Sequence, residues 1–120
     1  MNIKLETILN TKEALEILSQ KDLSIKTSFK IAKLIKAANK ELETYNEQRI
    51  KLLESIGSTL NAESGQYEIP SDKRREFAEK FNELISIEVD MPDKIDMSNE
   101  NISISPDLLI ALESFIDFEE

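Results

Sequence analysis

The 120-residue sequence contains no cysteine and no histidine. The first absence excludes a disulfide framework and a thiolate metal site, so stability has to come from packing. The second removes the usual general base and, with the first, the common zinc ligands and the thiol nucleophile. Glycine occurs only at Gly57 and Gly65, which leaves no glycine-rich loop to cradle a phosphate. Apolar runs stay well short of the roughly 18 residues a membrane span requires. The opening MNIKLETILN lacks the apolar region and small-residue cleavage site of a secretory signal. What remains is carboxylate, lysine, tyrosine or serine chemistry, and the expectation is a non-enzymatic cytoplasmic protein without cofactor, metal or membrane partner.

With 40% apolar residues the chain can bury one core, and a single domain over 1–120 is expected. In NIKLETIL, Ile3, Leu5 and Thr7 alternate with Asn2, Lys4 and Glu6, which predicts a short strand. Asn10 stands three residues before Glu13 in a capping-box arrangement, ahead of Ala14, Leu15 and Leu18, so a first helix is expected over about 11–20.

The stretch from Ser24 to Ile56 has neither glycine nor proline. Within it Ile31, Ile35, Ala38, Leu42, Tyr45, Arg49, Leu52 and Ile56 follow at alternating steps of four and three. That heptad seam predicts a long helix over 24–57, roughly 50 Å long, ended by Gly57. Residues 58–70 read as a connector or hairpin arm that turns at Ser64-Gly65. Phe77, Phe81, Leu84 and Ile85 give a helical face to residues 71–86, with Ser71 or Asp72 as its cap. The first helix and this one should each cover one half of the long helix.

The stretch IEVDMPDKIDM, residues 87–97, places Ile87, Val89, Met91, Ile95 and Met97 on odd positions and Glu88, Asp90 and Asp96 on even ones. This is a strand pattern bent at Pro92, whose solvent face carries the carboxylates. A calcium loop would need a central glycine, which is absent here. With the alternation of NISIS, short strands are expected within 87–105. Ser105, Pro106 and Asp107 then open a C-terminal helix over 106–116, with Leu108, Leu112 and Phe115 as its buried stripe. The expected architecture is α+β and mainly α: a long helix packed as a helical hairpin with shorter helices, and a small β-sheet at one end.

Charge is unevenly spread although the net value is −9. Residues 21–40 carry six lysines against Asp22, whereas residues 83–120 carry eleven acids against Lys94. Lys26, Lys30, Lys33, Lys36 and Lys40 fall within about 120° of the helix circumference. No arginine or aromatic residue interleaves with this stripe to read bases, and the net charge disfavours direct nucleic-acid binding. A lysine-covered solvent face partly neutralised by the acidic C-terminal third is the simpler reading. The acidity also permits mimicry of nucleic acid, and inhibition of a host DNA-binding protein.

The order of a short strand, a capped helix, the rod SIKTSFKIAKLIKAANKELETYNEQRIKLLESIG, a helix, an acidic strand and the closing ISPDLLIALESFI resembles a family of small uncharacterised proteins encoded by tailed phages and prophages of Gram-positive bacteria. The resemblance spans nearly the whole chain. It implies an accessory or structural role through protein–protein interaction, in the host cytoplasm or in association with the virion, and carries no catalytic residue. The helical hairpin with a small sheet is also similar to prefoldin-like chaperone subunits, which implies an assembly factor as a further alternative. Two short helices cannot cover a rod of roughly 50 Å. A homo-oligomer is therefore expected along the long helix, with Ala38, Leu42 and Tyr45 at its interface.

Overall fold

The computed structural model describes residues 1–118. The chain forms β1 (Asn2–Lys4), α1 (Leu5–Ser19), α2 (Ile25–Ser55), β2 (Thr59–Leu60) and β3 (Tyr67–Glu68). A single 3₁₀ turn, Ser71–Lys73, leads into α3 (Arg74–Ile85). There follow β4 (Glu88–Asp90), β5 (Ile95–Asp96), α4 (Pro106–Leu112) and β6 (Ile116–Asp117). The fold is α+β and mainly α, with the long α2 packed on α1.

Both ends of α2 are set locally. The Ser24 hydroxyl accepts a hydrogen bond from the Thr27 amide at 3.4 Å, and α2 begins at the next residue. At the other end Gly57 takes φ +80°, a left-handed conformation that costs a residue with a Cβ about 1 kcal/mol or more. That geometry lets the Gly57 amide donate to the Glu54 carbonyl at 3.1 Å and the Ser58 amide to the Leu53 carbonyl at 3.0 Å. Two otherwise orphaned carbonyls are thereby satisfied in a Schellman closure.

The first helix departs from expectation. It starts at Leu5, so the strand is only Asn2–Lys4 and Asn10 lies inside the helix, where it caps nothing. The reason is burial. Leu5, Ile8, Ala14, Leu15 and Leu18 are all buried on one helical face, and starting at residue 11 would leave Leu5 and Ile8 outside it. Thr11 is buried on the same face and returns its hydroxyl to the Thr7 carbonyl at 2.7 Å. The Leu5 amide, at the helix start, donates to the Ile87 carbonyl at 2.9 Å, which ties α1 to the strand after α3.

The β content is divided among three two-stranded ribbons rather than gathered into one sheet at one end. β1 and β4 pair antiparallel with Ile3 opposite Val89, and β2 and β3 pair antiparallel with Leu60 opposite Tyr67. β5 and β6 pair parallel with Ile95 opposite Ile116. Residues 101–105, expected to alternate as a strand, lie outside any ladder, with Ile102 and Ile104 packed against the core. α4 is shorter than expected and stops at Leu112, which frees Phe115 for full burial and Ile116 for its ladder. Neither Ser71 nor Asp72 caps α3 through its side chain; the 3₁₀ turn provides the entry instead.

The main core joins α1 to the N-terminal half of α2 and is closed by Met91, Ile95 and Met97 of the β4–β5 segment, Leu108 and Leu112 of α4, Phe115 and Ile116. α3 covers the other half of α2, where Tyr45 meets Phe81 edge-on at 6.3 Å and Phe81 stacks on Phe77 at 5.4 Å. No residue of α3 is fully buried. The two short helices thus share the length of α2, as its seam implied. The molecule measures 53 × 30 × 24 Å with a Cα radius of gyration of 17.5 Å, against about 14 Å for a compact chain of this length.

Candidate interaction surface

The carboxylates of residues 88–96 do not converge. Glu88, Asp90, Asp93 and Asp96 are all exposed, while Met91, Ile95 and Met97 of the same segment are buried. Ile87 departs from the alternation and is half exposed. The Met1 ammonium lies 3.5 Å from Asp90 and 3.6 Å from Asp93, and donates to the Met91 carbonyl at 2.7 Å. Asp96 accepts from the Ser98 amide at 2.9 Å, and hydrogen bonding from Ser98 holds its carboxyl below the usual range. Among the described residues no group of three or more acidic side chains stands where it could hold a metal ion.

The middle of the seam is better covered than expected. Ala38 is 1% exposed and belongs to the core, so it offers no contact to a second chain. Leu42 and Tyr45 are half-buried against the same core, and burial raises the Tyr45 phenol above its ordinary pKa, with Arg49 acting weakly against it. Coverage holds there because α1 extends back to Leu5 and Leu84 of α3 packs against the same cluster, so the two short helices meet where a gap was expected.

The uncovered part of α2 lies elsewhere, on the outer face of its N-terminal half. Thr27, Ile31, Leu34 and Ala38 of these turns face the core. On the opposite side Ile25 is 89% exposed and Phe29 63% exposed. The two are four residues apart and so stand one above the other. The Lys33 ammonium sits over the Phe29 ring at 5.3 Å, a cation–π contact. Phe29 therefore belongs to the lysine face, which corrects the expectation that no aromatic residue interleaves with that stripe. Its position, 300° around from Lys26 by sequence spacing, is readable on a helical wheel once the core face is known.

The acidic third neutralises this face only at its edge. Lys30, Lys33, Lys94 and Asp93 line a cleft of about 310 Å³ beside β5, and Lys30 also lowers the pKa of Asp96. Among the described residues none of the five ammonium groups of the stripe comes within 4.0 Å of a carboxylate; the ion pairs lie at Met1 and along the 3₁₀ turn and α3.

A second open feature is an apolar groove of about 400 Å³ between α1 and α4. Ala14, Ile17, Leu108 and Ala111 line it, with Glu13, Asp107 and Lys21 also at its walls. A further interaction had no signal in the sequence. Glu100 reaches Ser24 from 76 residues away and accepts from its amide at 3.3 Å and its hydroxyl at 2.5 Å. Those bonds, with Thr27 adding to them, hold the Glu100 carboxyl below its ordinary pKa.

No family model, curated protein or solved structure matches the chain.

Proposed function

We propose that this is a non-enzymatic interaction protein, which recognises another protein through the outer face of α2. The observation that carries this reading is the exposure of Ile25 and Phe29 within a field of lysines that make no salt bridge among the described residues. Apolar side chains exposed together on a helix whose opposite side at the same turns is buried in the core mark a contact surface rather than a folding element. The phage and prophage likeness read from the order of elements supports an accessory or structural setting in the host cytoplasm, with the virion as the other location. The lack of histidine and cysteine supports a role without catalysis.

The test is affinity capture from host lysate with the wild-type chain and with Phe29→Ala. A partner retained by the first and lost by the second is the expected result, because an exposed aromatic can be truncated without disturbing the fold. Identical captures by both proteins would refute the assignment to this face. Recovery of a DNA-binding enzyme that added DNA displaces would replace the reading with nucleic-acid mimicry.

A further inference from the structure

The lysine face and the α1–α4 groove are opposite in charge, and each carries exposed apolar side chains. The first presents two apolar side chains, Ile25 and Phe29, flanked by Lys26, Lys30 and Lys33. The second presents an apolar floor of Ala14, Ile17, Leu108 and Ala111, walled by the carboxylates of Glu13 and Asp107 against the single ammonium of Lys21. Ile17 is 48% exposed there, an apolar wall left open to water. A groove of about 400 Å³ has room for a phenyl ring.

The two features cannot meet within one chain. Phe29 sits on the same turns of α2 as Thr27 and Ile31, which are buried on the opposite side of the helix. Turning Phe29 inward would expose Ile31 and Leu34 and dismantle the core that they share with α1.

We propose that the Ile25–Phe29 knob of one copy docks into the α1–α4 groove of a second copy of this chain, with the lysines around the knob facing Glu13 and Asp107. The inference rests on the interaction reading of the α2 face and adds a second copy as an occupant that a host partner would displace. Each copy offers one knob and one groove on different surfaces. The contact therefore either doubles across a two-fold axis or propagates head to tail. One knob in one groove buries less than the roughly 1,000 Å² of a durable interface, so association is expected in the micromolar range and weakens with salt.

The test is sedimentation velocity on the full chain over a concentration series from micromolar to sub-millimolar, at low and high salt. Phe29→Ala and Ile17→Lys are the variants. Both sites are substantially exposed, and circular dichroism checks that the helices persist. The expected result is a mass that rises with concentration, and in each variant a self-association about tenfold weaker or more. Because the chain has no cysteine, Ser28→Cys beside the knob and Asn10→Cys at the wall of the groove give a clean second measurement. Mild oxidation of their mixture should favour the mixed disulfide over either homodimer. A wild type that stays monomeric, an oligomer that both variants leave intact, or a mixture with no preference for the mixed disulfide overturns the proposal. A monomer that still captures a host protein through Phe29 removes the second copy and leaves the interaction reading standing; a monomer that captures nothing removes both.

Discussion

Ser24 shows how much a single residue can join. Its hydroxyl accepts from the Thr27 amide as the cap of α2, and the same group donates to Glu100, so one side chain ties the start of the longest helix to the loop before α4. Ser24→Ala removes both bonds and should cost about 1 kcal/mol or somewhat more in chemical denaturation. The Glu100 bond has a pH signature whose sign is fixed. A carboxyl with a depressed folded-state pKa contributes stability that is present above its unfolded value and lost as pH falls through the folded one. Asp96 and Glu76 are depressed as well, by Ser98 and by Lys80 with Lys73, so wild-type stability alone would mix three effects. The difference between wild type and Glu100→Gln isolates one. It should favour wild type at neutral pH and shrink as pH falls below the ordinary carboxylate range. A difference independent of pH would mean that the charge of Glu100 contributes nothing.

At the scale of the element, α2 carries one apolar stripe that meets two different environments. Leu34 is 0% exposed and sits in the main core, whereas Leu42 lies at its margin, where α1 gives way to α3. Leu34→Ala should therefore cost about 2–5 kcal/mol, within the range for a fully buried leucine. Leu42→Ala should cost about 1–2 kcal/mol, because its site is partly solvated already. Thermal or urea unfolding of the two variants gives the comparison, and equal losses would contradict the burial difference. The strict heptad seam does not predict this order: Leu34 lies off the seam positions, yet it is buried more deeply than Ile35, because it sits inside the cluster that α2 shares with α1 and the β4–β5 segment, whereas Ile35 packs at that cluster's edge.

For the whole molecule, the long axis of 53 Å separates a well-buried half from a lightly held one. The first half contains the continuous core of α1, α2, α4 and the chain around Met97. The second consists of the end of α2, the β2–β3 arm and α3, which has no fully buried residue and leans on the Tyr45, Phe77 and Phe81 rings. Opening free energy scales with buried apolar contact, so α3 should open below the global unfolding free energy. Native-state hydrogen exchange is expected to show amides of α3 exchanging well before those of α1 at Leu15 and Leu18. Uniform protection along the molecule would show that the two halves unfold as one. The outer α2 face and the α1–α4 groove both belong to the better-buried half, so self-association should not protect α3.

Local physics determined the parts that were legible in the sequence. The extent of α2 follows from a gap-free 3.6-residue periodicity, a serine cap at Ser24 and a left-handed glycine at Gly57. Ser105, Pro106 and Asp107 open α4 as read, the Ser105 hydroxyl accepting from the Leu108 amide at 3.3 Å. Glu88, Asp90 and Asp96 fall on the solvent side because side chains alternate along an extended backbone. Each of these rests on atoms a few residues apart. Tertiary structure decided the rest. Asn10–Glu13 is a sound capping pattern that loses to the burial of Leu5 and Ile8, and that burial exists only once α2 and α4 are in place. The parallel pairing of β5 with β6, the reach of Glu100 to Ser24 and the covering of Ala38 all join segments distant in sequence. Which face of α2 stays open was likewise undetermined by its stripe. A helical wheel fixes which residues share a face, whereas only the packed neighbours decide which faces meet water, and they leave Ile25 and Phe29 uncovered rather than Leu42 and Tyr45.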